Sequence, residues 1–338
     1  MKAIGYYQNL PASDARSLVD IELPTPTLRA RDLLVRVEAV SVNPVDTKVR
    51  NGMTPPDGTA RVLGYDAAGV VEAVGADVTL FKVGDPVFYA GALDRPGTNA
   101  QWHAVDERIV GRKPASLDFA AAAALPLTAL TAWELLFDRL GVKAGAEAGA
   151  GDALLIINGA GGVGSILTQI ARQLTGLTVI ATASRPETVA WCKEMGAHHV
   201  IDHRQPLEAG LKAIGIPEVR YVASLTATDA HLASINAALA PQGALALIDD
   251  PKALDILPFK RKSISVHWEL MFTRSLFGTA DMVEQHRILD EVAALVDKGV
   301  LRTTLRENAG TINAENLRHA HARQESAAAI GKTVLTGF

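Results

Sequence analysis

The run Ala153-Leu154-Leu155-Ile156-Ile157-Asn158-Gly159-Ala160-Gly161-Gly162-Val163-Gly164 decides the fold. Its five leading apolar residues predict a buried strand, which Asn-Gly ends. Beyond Gly162, apolar residues fall at Val163, Ile166, Leu167, Ile170, Ala171 and Leu174. Steps of three and four lay one stripe along a helix. A second apolar run, residues 177–183, follows. Strand, glycine turn, helix and strand make a βαβ unit, in which Gly159, Gly161 and Gly164 fit G-x-G-x-x-G. Gly159 permits the tight turn, Gly161 lets the backbone approach a pyrophosphate, and Gly164 lets the helix press on the sheet. The free N–H groups and dipole at the helix start attract phosphates. Residues Gly159, Ala160, Gly161, Gly162, Val163 and Gly164 are therefore the candidate dinucleotide-binding turn.

Further on, the pattern continues to alternate. Helices are predicted near 187–195, 207–214 and 229–239, and strands at 199–201, 219–225 and 244–248. Such alternation means a doubly wound parallel sheet covered on both faces, the Rossmann arrangement of an α/β chain. Ligands bind beyond the carboxyl ends of its strands. Those ends are Asn158-Gly159, Ala183-Ser184, Leu225-Thr226 and Ile248-Asp249, so Leu225 and Thr226 join the candidate cofactor-binding residues.

The end of the second strand selects the cofactor. An NAD site places Asp or Glu there to bond the ribose 2′-hydroxyl. This chain reads Thr182-Ala183-Ser184-Arg185-Pro186, and its first carboxylate, Glu187, lies beyond the proline. Ser184 and Arg185 are able to bond a 2′-phosphate, so the expected cofactor is NADPH. The competing role for the same residues is structural: Ser184 caps the next helix, Pro186 sits in its first turn, and Arg185 is solvated.

Residues 1–127 read as β-rich, with strands at 33–40, 67–74, 82–89 and 100–105 that suggest a small irregular barrel. Helices follow at 119–124 and 127–140, the second started by Pro126. Residues 141–151, GVKAGAEAGAG, form a surface connection. The tail predicts a strand at 263–268, helices at 282–298 and 313–326, and a closing strand at 331–335 that joins the first domain's sheet. The expected domains are 1–127 with 271–338, and 128–270.

Bulk properties narrow the partners. The 338 residues carry a net charge of −4, so no broad basic surface invites nucleic acid. The single cysteine, Cys192, excludes an internal disulfide and a four-cysteine zinc site. The N-terminus lacks the apolar core of a signal peptide. Residues 118–137 are alanine-rich but interrupted by Pro126, Thr128, Thr131 and Glu134, too polar for a membrane span. A cytoplasmic location is expected, without a membrane partner.

Several stretches together resemble the medium-chain dehydrogenase/reductases along the whole chain. They are residues 41–46 (SVNPVD), 64–71 (GYDAAGVV), 83–87 (VGDPV), 125–129 (LPLTA) and 159–164 (GAGGVG). Within that superfamily the chain is most similar to the quinone oxidoreductase branch, and to the bacterial zinc-type alcohol dehydrogenase-like proteins through TASRPETVAWCKEMGAHHVIDH and IDDPKALDILPFKRKSISVHWELMFTRSLF. The resemblance implies a GroES-like β-rich catalytic domain beside the Rossmann domain. It also implies a homodimer, with residues 263–268 extending the cofactor-domain sheet across two subunits.

The same resemblance bears on metal and mechanism. Zinc alcohol dehydrogenases place a Cys in the stretch that here reads Val42-Asn43-Pro44-Val45-Asp46, and Gly-His-Glu where this chain has Gly64-Tyr65-Asp66. Both ligands are missing, so no catalytic zinc is expected. His198, His199, Asp202 and His203 flank a probable strand and read as loop histidines, while His319 and His321 do not share a helix face. Without a metal, an α,β-unsaturated carbonyl or a quinone is the better hydride acceptor, because its charge delocalises.

The resemblance implies catalytic candidates Asn43, Asp46, Tyr65 and Thr128. Asn43 bonds a carbonyl oxygen or the nicotinamide ribose, or else is a turn residue before Pro44; Asp46 acts nearby or fixes the loop. Tyr65 donates a proton or bonds the acceptor, or packs. Thr128 lies near the nicotinamide or serves the first helical turn. Phe272, Thr273 and Arg274 are placed at the cofactor's nicotinamide end. Lys332 reaches the ribose region, or is an edge-strand charge. The expected activity is NADPH-dependent reduction of a small-molecule quinone or enone. The alternatives are a zinc-type alcohol dehydrogenase and a non-catalytic NADPH-binding protein.

Overall fold

The computed structural model describes residues 1–338, which divide into two units: Met1–Leu130 with Phe272–Phe338, and Thr131–Met271. The first unit opens with strands β1 (Lys2–Tyr6), β2 (Val19–Glu22), β3 (Asp32–Ser41), β4 (Arg61–Val62), β5 (Ala67–Val74), β6 (Pro86–Tyr89), β7 (Trp102–Asp106) and β8 (Val110–Arg112). Helices α1 (Pro44–Gly52) and α2 (Phe119–Ala123) accompany them. Helix α3 (Pro126–Trp133) carries the chain across the boundary and continues as a π-helical turn, Glu134–Arg139. The second unit contains β9 (Ala153–Ile157), α4 (Gly162–Leu174), β10 (Thr178–Thr182), α5 (Pro186–Glu194) and β11 (His199–Ile201). It continues with α6 (Leu207–Ala213), β12 (Val219–Ser224), α7 (Thr228–Ala238), β13 (Leu239–Leu247) and β14 (Ser265–Trp268). The chain then returns to the first unit as α8 (Thr273–Phe277), α9 (Glu284–Asp297), β15 (Leu305–Asn308), α10 (Ala314–Glu325) and β16 (Lys332–Thr336).

In the second unit six strands lie in the order β11-β10-β9-β12-β13-β14, every neighbouring pair parallel. The order reverses beside β9, so the glycine turn leaves the sheet at its switch point, where doubly wound sheets bind ligands. All five residues of β9 are buried, as a strand covered on both faces requires. Leu155, Ile157, Ile180, Val222, Leu245 and Leu247 form part of the core on one side. At the other end of the order, β14 has a neighbour on one side only.

In the first unit the ten-residue β3 organises a seven-stranded sheet. It pairs antiparallel with β5, β7 and β16, and the order runs β15-β16-β3-β5-β6-β8. A smaller sheet, β2-β1-β4, completes the unit. The chain's closing strand β16 is therefore interior to the larger sheet, between β15 and β3.

Three local expectations change. Helix α1 appears where no element was expected: its sequence, PVDTKVRNG, is too polar to show apolar periodicity, and its buried side includes Asp46, Thr47 and Arg50. The strand read at 82–89 shortens to β6, because Lys82 and Asp85 close a turn on each other (Lys82 N–H to Asp85 Oδ2, 3.0 Å). Finally, the stretch Phe119–Arg139, made of α2, α3 and the π-helical turn, is apolar enough, by length and composition, to cross a membrane. It is 78% buried within the structure, which marks it as a core helix.

Candidate functional site

In the second unit the turn between β9 and α4 is shaped by close backbone approach. Asn158 takes the left-handed conformation at φ 68°, and its N–H donates to Thr182 Oγ1 at 3.0 Å, tying the ends of β9 and β10 together. A Cβ on Gly159 would stand 2.6 Å from Ala181 Cβ, and one on Gly164 would run into the Asn158 carbonyl oxygen. Gly161, the N-cap of α4, has no side chain to cap the helix. The first N–H groups of a 13-residue helix thus face outward at the strand ends, a cradle suited to a pyrophosphate. Ala160 is buried in the turn, and Gly162 and Val163 begin the helix half-buried.

At the end of β10 the helix cap falls one residue later than the sequence suggests. Arg185, not Ser184, is the N-cap of α5, with Pro186 in the first turn; the Thr188 hydroxyl accepts the Arg185 N–H at 3.1 Å. Ser184 therefore lies outside the helix. The Arg185 guanidinium sits 3.2 Å from Glu187, and the two side chains are 41% and 54% exposed. The carboxylate that the sequence puts beyond Pro186 is thus folded back beside the arginine. An exposed pair of this kind holds weakly and is able to exchange for a phosphate. Leu225 is buried directly after β12, and Thr226 is exposed.

The first unit gathers Asn43, Asp46, Tyr65 and Lys332 around a residue the sequence reading passed over, Asp66. All five are buried. Lys332 donates to Asp66 Oδ2 at 2.9 Å, to the Val42 carbonyl at 3.0 Å and to Asn43 Oδ1. Asn43 Nδ2 donates to the same Asp66 oxygen at 2.8 Å, and Asp66 Oδ1 accepts the Leu127 N–H at 2.8 Å. Asp46 Oδ2 takes the Asn43 N–H at 2.8 Å, and its Oδ1 takes the Gly64 N–H at 3.0 Å. Burial pushes the Asp66 carboxyl upward, while Lys332, Asn43 and Leu127 pull it down. Asp46 is raised to about 7, first by burial and then by Asp66, against the Asn43 N–H and Lys332.

This network reassigns three candidates. Lys332 is not an edge-strand charge, because β16 has neighbours on both sides and the ammonium is buried against a carboxylate. Asn43 has both ends of its amide engaged, and Asp46 fixes the loop that α1 starts from. Asp66 was legible only as a carboxylate within the apolar run 64–71.

Tyr65 differs from its neighbours. Its ring is fully buried and meets Phe272 edge-on at 5.5 Å, yet its hydroxyl has no hydrogen-bond partner. Burial raises the phenol to about 12, followed by the charge of Asp46, with Arg61 acting against both. It is therefore a proton-bearing group at neutral pH. Thr128 is buried on the first turn of α3 and donates to the Leu125 carbonyl at 3.1 Å, a local capping bond. Thr273 begins α8, and Arg274 Nε donates to Asp281 Oδ2 at 3.0 Å.

A second group in the Thr131–Met271 unit also went unread. Glu134, on the π-helical turn, and Glu269, directly after β14, have fully buried side chains. Arg139 Nε bonds Glu269 Oε2 at 2.8 Å. Burial and then the Glu134 carboxylate raise Glu269 to about 8, against Arg139. The only sequence signal was a glutamate inside an apolar helix.

The residues present do not fit a catalytic metal. No group of three or more His, Cys, Asp or Glu side chains is arranged to hold one. Cys192 is buried in α5 with its thiol pushed up to about 12 by burial, and Asp46 and Asp66 are already engaged. Of the histidines, His198 accepts the Val179 N–H, and His321 is buried against Arg50.

Residues 29–115 match the family described as alcohol dehydrogenase GroES-like domain, and residues 195–335 match zinc-binding dehydrogenase. A zinc-type alcohol dehydrogenase-like protein of Staphylococcus aureus is 40% identical over 99% of both chains. An NADPH-dependent alkenal/one oxidoreductase of Arabidopsis thaliana is 37% identical over 55% of this chain and 48% of its own. A crystal structure from Rhizobium etli, carrying the description of a zinc-dependent alcohol dehydrogenase protein, superposes with a TM-score of 0.96 at 61% identity, covering 100% of this chain and 98% of that one. A quinone oxidoreductase of Pseudomonas syringae superposes with a TM-score of 0.83 at 27% identity over 99% of both.

Proposed function

The chain belongs to the medium-chain dehydrogenase/reductase superfamily, among its zinc-type alcohol dehydrogenase-like members, and on that premise we propose that it is an NADPH-dependent reductase of α,β-unsaturated carbonyls and quinones that works without a metal. The observation that carries the reading is the donor set of the first unit: a buried, proton-bearing Tyr65 among engaged carboxylates, with no residues fit to hold zinc. The relatives from Arabidopsis and Pseudomonas support the acceptor class.

NADPH, when bound, supplies the hydride. The turn from Gly159 to Gly164 and the N–H groups opening α4 take its pyrophosphate. Ser184 and Arg185 take the 2′-phosphate, with Leu225 and Thr226 along the strand ends beside the ribose. Phe272, Thr273 and Arg274 serve the nicotinamide end. Tyr65 bonds the acceptor's oxygen and gives it a proton. The acceptor delocalises the charge that a metal would otherwise stabilise, so an isolated ketone is a poor substrate.

The protein acts as a homodimer joined through β14. That strand has one open edge, and Trp268, Leu270, Ile256 and Leu257 near it are 55%, 49%, 49% and 73% exposed. Unpaired strand edges with apolar flanks invite pairing with a second copy.

The test follows NADPH absorbance with quinones, cyclic and linear enones, aldehydes and simple ketones, each with and without a chelator. Turnover of quinones or enones that the chelator leaves intact is expected. Activity only on alcohols or aldehydes after zinc is added would return the chain to zinc chemistry. Tight NADPH binding with no turnover on any acceptor would make it a non-catalytic binder.

A further inference from the structure

Buried tyrosine hydroxyls usually find a partner. Tyr65 does not, although its ring is fixed edge-on against Phe272. Beside its phenol oxygen stands the Arg61 guanidinium. Arg61 belongs to β4, where it pairs with Tyr6 of β1, and its Nη2 donates to the Leu93 carbonyl at 2.9 Å. That bond anchors one end of the fork. The Nε at its base is buried and has no hydrogen-bond partner. Arginine only donates, whereas a phenol donates one hydrogen bond and accepts others. Arg61 Nε and the Tyr65 hydroxyl are thus two buried donors without a partner, and the one group of the pair able to accept is the phenol oxygen itself. The phenol's own O–H is left with nothing to donate to.

We propose that Arg61 is a positioning residue: it holds the Tyr65 oxygen through Nε–H, so that the Tyr65 O–H is presented to the carbonyl oxygen of the substrate. This rests on the reading of the chain as a carbonyl and quinone reductase. With an enone and the reduced nicotinamide as reductant, hydride adds to the β-carbon. The C=C electron pair moves to make the enolate, and the dinucleotide leaves oxidised. Tyr65 gives its proton to the enolate oxygen, and the O–H bond of the phenol breaks. Arg61 faces the resulting phenolate until water reprotonates it, and the released enol becomes the saturated ketone in solvent. A quinone takes the hydride to become a hydroquinone anion, which needs one proton and can take it from water, so it depends less on the pair.

Two measurements test the assignment. The first needs neither cofactor nor turnover: the chain is labelled with [¹³Cζ]tyrosine, and the Tyr65 resonance is identified by its loss in Tyr65→Phe. Arg61→Gln should shift that resonance, and Arg61→Lys, which keeps the charge but not Nε, should shift it less. The second is a double-mutant cycle with NADPH and 2-cyclohexen-1-one. Arg61→Gln should lower kcat roughly 10- to 100-fold, more than it lowers quinone turnover, and should add under ~2-fold in a Tyr65→Phe background. If Arg61→Gln does not fold, Arg61→Lys carries both arms. An unmoved Tyr65 resonance, or equal losses in the two backgrounds, overturns the role of Arg61 while leaving the reductase intact. A wild-type chain that reduces no enone and no quinone overturns the functional reading and this inference with it.

Discussion

Arg185 is held 3.2 Å from the Glu187 carboxylate, which would have to yield to the proposed 2′-phosphate. The phosphate carries more charge than Glu187 and presents more acceptors, so the exchange is favourable. Arg185→Ala should weaken NADPH about tenfold or more while changing NADH little, and Glu187→Gln should tighten NADPH a few-fold. Dissociation constants from cofactor fluorescence check both, and an Arg185→Ala protein that keeps its preference for NADPH removes the assignment. At this scale the sequence was readable where chemistry is local. The glycines, Ser184 and Arg185 announce themselves by spacing along one segment. The network of Asp66 with Asn43 and Lys332 does not, because Asp66 and Lys332 lie 266 residues apart and meet only when β16 enters the sheet. Arg61 carries no sequence signal at all; what distinguishes it is a pair of buried donors, a property of geometry alone.

Among the elements, the π-helical turn and the end of β14 share one electrostatic problem. Glu269 holds its proton at neutral pH because burial and the Glu134 carboxylate oppose its ionisation, with only Arg139 in favour. Its folded pKa of about 8 lies above the ordinary carboxylate value, so the native state binds more protons than the unfolded chain between them. The stability this contributes is complete below the ordinary value and is lost as pH rises through about 8. Asp46, raised to about 7, acts in the same direction within the first unit. Urea unfolding at a series of pH values should therefore show stability falling from pH 5.5 to 8.5, by up to ~1.4 kcal/mol per pH unit for each proton released. Glu269→Gln should flatten the upper part of that curve. An identical slope in the variant would mean that Glu269 is ionised throughout. Elements with apolar periodicity were legible beforehand, α4 and α9 above all. Helix α1 was not, because three of its four buried residues, Asp46, Thr47 and Arg50, are polar, and Asp46 and Arg50 find partners far along the chain rather than in an apolar stripe.

Taken as a whole, the molecule is one contiguous unit inserted into another that the chain leaves and later rejoins. The Rossmann order of the inserted unit follows from one βαβ motif and strict alternation, which is why the sequence revealed it. In the other unit the closing strand was expected to join the first domain's sheet, as β16 does against β3, but the order of the remaining strands rests on long-range pairings that no local pattern records. The open edge of β14 makes a prediction for the assembly. Val266→Lys combined with Trp268→Lys should convert the proposed dimer to a monomer in sedimentation analysis, since like charges would face each other across the paired edges. A dimer that survives the substitutions uses some other surface.

The placement of Lys332 on the closing strand also orders events during synthesis. Asp66 leaves the ribosome long before its counter-ion is made, and a buried carboxylate left without one costs several kcal/mol. The larger sheet of the first unit is complete only once β16 is made, by which time Thr131–Met271 has emerged unbroken. The part of the protein translated first is the part finished last.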